Sequence, residues 1–213
     1  MLKYELTDKV KKIKLKDNVN GSITIHQIRA CKDFTLINNK IVRAGDLGGW
    51  VETEKNLSQT DSSWIGDNAI VYGEANVVDS SYVFGNAIVC DDALICESAM
   101  VYDNALICDA ADIGGNSRIY GNAVICGNAD VGDDVQVYDY AHIYGYCHLF
   151  DQVRVFGNAC VGGFAIIHNR AKVYGNAQIF GNAEVCGKAS ISGDVVVKGL
   201  MKIGRSRFNF LSR

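Results

Sequence analysis

The stretch VFGNAIVCDDALICESAMVYDNALICDAADIGGNSRIYGNAVICGNADV, residues 83–131, decides the fold. Val83, Val89, Ile95, Val101, Ile107, Ile113, Ile119, Ile125 and Val131 fall at every sixth residue. The register runs back to Ile65 and on to Ile203, which makes 24 aliphatic positions without an insertion or a deletion. Four residues after each lies a column of small residues, with Ala at 16 of its 22 positions between 69 and 195. Two residues after each lies a third column, from 67 to 199, with 13 Gly, 8 Asp, Glu97 and Asn169.

A helix needs a period of 3.6 and a plain strand a period of 2. A period of six, with one large and one small inward residue, fits a two-residue strand followed by a sharp turn. Gly, Asp and Asn stand at the turn because they tolerate left-handed backbone angles. Three hexads close a triangular coil of about 18 residues, and each coil pairs with the next as a parallel strand ~4.8 Å away. The expected fold is all-β: a parallel β-helix of about eight coils over residues 61–204. A small N-terminal β-hairpin cap is expected over 1–60 and a C-terminal capping tail over 205–213. Within the cap, Ile23–Ala30 and Phe34–Val42 read as strands with a turn at Asn38-Asn39. Caps make sense because an open β-helix end is an unpaired sheet edge.

The consensus V-Y-G-N-A-x resembles the hexapeptide-repeat, left-handed parallel β-helix superfamily, whose best-known members are trimeric acyltransferases. Here an aromatic residue or Cys usually follows the aliphatic one, and Gly comes one later. With I-R-A-C-K-D-F at 28–34 and A-G-D-L-G-G-W-V-E at 44–52, the chain looks like phage- and prophage-associated β-helix proteins described as transferase-like or polymer-forming. The left-handed coil is implied by that resemblance.

Composition bounds the rest. The chain has 213 residues, 22 Gly, no Pro and 8 Cys. The start MLKYELTDKVKKIKLKD lacks a signal-peptide core, and no apolar run reaches the ~20 residues of a membrane span. The expectation is a cytoplasmic protein (host cytoplasm, if phage-encoded) with reduced thiols and no membrane partner.

The period of 18 sorts outward residues onto three faces. The first carries Phe84, Tyr102, Tyr120, Tyr138, Phe156 and Tyr174, beside an Asn column. Rings stacked at the coil spacing leave no room for bases, which argues against direct nucleic-acid binding. The second face carries Ile70, Ile88, Leu106 and Val124, then His142 and Cys160, before the aliphatic column; Tyr72, Cys90, Cys108, Cys126 and Tyr144 follow it. A solvent-facing sheet should alternate, so this face is expected to be covered, by the N-terminal segment or by another subunit. A subunit is the favoured cover, in a trimer or a dimer. No metal site is expected: three thiols in line place the outer two ~9.6 Å apart, too far to share one zinc ion.

Charge is segregated. Residues 65–150 hold 13 acids and a single base, Arg118, whereas 151–213 hold 3 acids and 9 bases. Asp91, Asp92, Asp109, Asp112, Asp130, Asp133 and Asp134 are the candidate acidic partner surface. Such a field suits a basic protein partner; a small nucleotide-like ligand in an inter-subunit cleft is a further candidate. The favoured function is a non-enzymatic interaction protein. For the phage-like group this implies a counter-defence role. One alternative is an acyl-CoA-dependent acyltransferase with His142 as general base, since an interface there would desolvate it. The uninterrupted hexads offer no loop excursion for such a site, and no cofactor is expected outside that reading. A polymer-forming structural protein is the second alternative.

Overall fold

The computed structural model describes residues 2–14 and 21–204, and the backbone of 207–210. It is a parallel β-solenoid of about nine turns of roughly 18 residues. Most rungs of the first, second and third faces are two-residue strands such as Met100–Val101, Leu106–Ile107 or Asp112–Ile113. Registers are uniform: Val89 pairs with Ile107, and Ile107 with Ile125. The aliphatic column from Ile65 to Val197 and the small column beside it are buried and form one continuous core, against which Ile203 packs partly buried. Every turn-column residue from Asp67 to Gly199 has positive φ, in Asp and Gly alike. At Gly127 (φ 74°) a Cβ would also lie 2.6 Å from the Gly145 backbone nitrogen, so side chain and neighbouring coil compete for one space.

The N-terminal segment holds β1 (Tyr4–Lys14), β2 (Ser22–Ala30), β3 (Phe34–Thr35), β4 (Ile41–Val42) and β5 (Leu47–Val51). The β3–β4 hairpin turns through Asn39 at φ 65°. The ninth turn comes from β5. Val51 pairs with Val71, and Leu57 bridges to Val77. These two residues continue the aliphatic column toward the N-terminus. The register was hidden in the sequence because eight residues, not six, separate Leu57 from Ile65.

β2 pairs antiparallel with β5, and β1 with β2, so the cap extends the second sheet in its own plane. It does not lie across that sheet's outer surface. Trp50, in register with Ile70, heads the outward column, and the Lys11 ammonium sits 3.7 Å from its ring centroid. Residues 207–210 pair parallel with Ser190–Gly193 and add a rung to the first face. The side chains of the expected capping tail, Phe208, Phe210 and Leu211 included, lie outside the described residues.

A buried cation fastens the cap. Lys3 is fully buried; its Nζ donates to the Ser63 carbonyl at 2.9 Å and pairs with Asp61 at 3.3 Å. Burial pushes the Lys3 ammonium down to about 8, against the pull of Asp61. Burial also raises Asp61, but hydrogen bonds from Ser58 and Ser63 outweigh it and hold the carboxyl at about 2. These partners come from the longer stretch between Leu57 and Ile65.

Candidate functional site

Along the second face, Ile70, Tyr72, Ile88, Leu106, Cys108, Val124 and Cys126 are half-buried, and Cys90 is buried. Coil stacking alone explains this, since each side chain rests on its neighbours in the next coil. His142 and Tyr144 are exposed at the far end, their rings 5.6 Å apart and tilted by 48°. The face therefore has a flat apolar centre with polar turns on both sides.

Cys108 and Cys126 titrate above the ordinary thiol range. A hydrogen bond with Cys90 and burial raise Cys108; burial raises Cys126, with the Asp109 charge adding to it. Cys126 Sγ lies 3.7 Å from His142 Nε2. Atoms of Cys108, Asp109 and Cys126 lie within 4.8 Å of one another. Column spacing alone, which separates the outer thiols, did not reveal this grouping. The extra member is Asp109, turned toward the next coil by its left-handed backbone (φ 56°).

The seven acids of the candidate partner surface are all exposed, and they divide by role. Asp91, Asp109 and Asp133 accept the backbone N–H of Asp109, Gly127 and Asp151, one coil on, at 3.2, 2.8 and 2.8 Å. Asp67, Asp79, Glu97, Asp103 and Asp139 do the same. Turn acids thus cap the next turn, and part of the charge segregation has a structural origin that composition could not show. On the third face Asp130 pairs with His148 at 3.2 Å. Burial, then repulsion from Asp130, raises Asp112, and burial pushes Cys96 up to about 12. Asp134 accepts from Asn116 at 3.2 Å. Asp92 follows Asp91 at the same corner.

One feature, apart from Tyr144, does not follow from the hexad consensus. Between residues 48 and 195, the exposed large apolar side chains are Tyr140, Tyr144, Tyr146, Phe150, Phe164 and Ile166. All fall within two coils, where the acidic stretch meets the basic one. Tyr146 and Phe164 replace turn residues and stack at 5.2 Å. Tyr140 stands where Asn belongs and interrupts the ladder that links Asn104 to Asn122 and Asn158 to Asn176. A search for residues that depart from the repeat, rather than obey it, would have found this belt.

On the first face the aromatic column from Phe84 to Tyr174 stacks at 4.8–5.0 Å with interplanar angles of 10° or less. The rings are closed against insertion. Near the C-terminal end, His168 Nε2 lies 3.0 Å from Glu184 Oε1, which also pairs with Lys202 at 2.7 Å. Among the described residues, no helix is long and apolar enough to cross a membrane. A comparison with protein-family models finds no match. A comparison with curated proteins finds none either.

Proposed function

We propose that this chain is a non-enzymatic, oligomeric interaction protein. The observation that carries the reading is the distribution of apolar side chains on the outside of the rod. A flat face from Ile70 to Cys126 runs into the exposed aromatic belt at Tyr140–Ile166. Interfaces combine such an apolar centre, rich in Tyr and Phe, with a polar rim. A second or third copy of the chain covers the second face; a trimer is the favoured assembly. The belt and the neighbouring acids Asp130, Asp133 and Asp134 face a basic protein, with charge setting the encounter rate. The V-Y-G-N-A-x consensus, which resembles that of the left-handed hexapeptide-repeat proteins, supports this reading. In the phage-associated group that it resembles, such binding would serve counter-defence in the host cytoplasm.

Light scattering of the reduced protein tests this. The expected mass is that of a trimer or dimer, and Ile88→Lys/Leu106→Lys should yield a folded monomer. A monomeric wild type would overturn the oligomer. An acyl-CoA titration separates the alternative: saturable binding that His142→Ala abolishes would replace the interaction reading with an acyltransferase.

A further inference from the structure

We propose that Cys108, Cys126 and Asp109, joined by His142, form a binding site for a thiophilic divalent cation, zinc above all. The argument begins with distances. Zinc bonds of ~2.3 Å to sulfur and ~2.0 Å to nitrogen, arranged tetrahedrally, put neighbouring ligand atoms roughly 3.5–3.8 Å apart. Cys126 Sγ and His142 Nε2 are 3.7 Å apart. The ligand atoms of Cys108, Asp109 and Cys126 already fall within 4.8 Å of one another. His142 Nε2 approaches this group through Cys126 alone, so its ring must turn toward Asp109 and Cys108 to complete the set.

The fold makes this set from its own repeat. Cys108 and Cys126 occupy one outward site in consecutive coils. Asp109 follows Cys108 at the turn, where its Oδ2 accepts the Gly127 N–H at 2.8 Å. That bond fixes the carboxylate between the two coils and leaves Oδ1 as the ligand atom. Such an anchored carboxylate is how metal sites orient their ligands. His142 reaches the group from one coil further on. Two thiols, one imidazole and one carboxylate are a donor set that selects zinc over calcium or magnesium.

Binding is a proton exchange. Two zinc–sulfur bonds form, two S–H bonds break, and two protons leave to solvent. All four ligands belong to one chain, so the site does not depend on the proposed oligomer.

The test is equilibrium dialysis of the reduced full-length protein against zinc alone, followed by metal analysis. A cobalt(II) titration reads thiolate coordination from its charge-transfer absorption. The wild type should hold one zinc per chain and show the cobalt–thiolate band. Cys108→Ser/Cys126→Ser should lose both. Asp109→Asn and His142→Ala, which alter exposed side chains, should fold and weaken zinc binding by ~10–100-fold. Three results would overturn the proposal: no zinc retained by the wild type, an unchanged band in Cys108→Ser/Cys126→Ser, or loss of the zinc on His168→Ala/Cys186→Ser, at the separate grouping of His168, Glu184 and Cys186 whose ligand atoms also lie within 4.8 Å of one another.

Discussion

The coils that turn at residues 67–139 and those that turn at 145–199 share a backbone but not a chemistry. The first group has acids at eight of thirteen turn positions, the second at one of ten. Positive φ is common to both. Glycine adopts it freely, whereas Asp accepts some strain and gains a hydrogen bond to the next coil. The two halves are alternative solutions to one corner. Charge can therefore vary along the rod without disturbing the core.

The core is the part that cannot vary. Ile107→Ala in the acidic half and Val173→Ala in the basic half remove side chains that are fully buried. Ile107→Ala should cost ~2–5 kcal/mol in urea unfolding, and Val173→Ala somewhat less because it removes less volume. A tolerant site in either half would mean that the coils there are loosely packed.

Alkali should weaken both halves, through thiols that each of them buries. Burial raises Cys96 to about 12 and Cys147 to about 11, and raises Cys126 and Cys160 as well. A thiol with a raised pKa keeps its proton in the fold after the unfolded chain has lost it at ~9. Stability should fall from about pH 9 upward, through the folded values. Lys3, depressed to about 8, acts the other way: the unfolded chain holds that proton to ~10.4, so deprotonation favours the fold between the two values. Cys96→Ala should flatten the thermal-melting decline above pH 9, and Lys3→Met should steepen it. A slope unmoved by either would assign it to other groups.

The corners give the smaller effects. Gly127→Ala adds a Cβ beside Gly145 at φ 74° and should cost ~1–3 kcal/mol. Asp103→Gly and Asp139→Gly lose a hydrogen bond and relieve strain, and should shift stability by less than about 1 kcal/mol. If Asp→Gly costs more than Gly→Ala, the acids hold the coils together and the charge is secondary.

The fold was legible because one period governs both core and turn. Val51 and Leu57 obey the same geometry, yet two additional residues before Ile65 broke the count and concealed a coil. β1 was unreadable for another reason: four of its eleven residues are Lys, which hides the alternation of a strand. Of the candidate site, the apolar columns were legible and the belt was not. Tyr140, Tyr146 and Phe164 sit at sites where the repeat constrains only the backbone, so any residue there reads as noise. The grouping of Cys108, Asp109 and Cys126 depends on where a left-handed turn aims a carboxylate, which spacing does not encode.

The lysine under the first coil bears on how the chain folds. Lys3 closes a loop to Asp61 and Ser63 some sixty residues on, whereas nearly every later pairing spans eighteen. By loop-closure entropy the longer span costs only roughly 1 kcal/mol more than a coil. Once it is shut, a ready-made strand edge awaits each incoming coil, and every addition repeats the same short search. Folding can then advance vectorially from the N-terminus as the ribosome releases the chain, at a pace set by one coil rather than by the length of the rod.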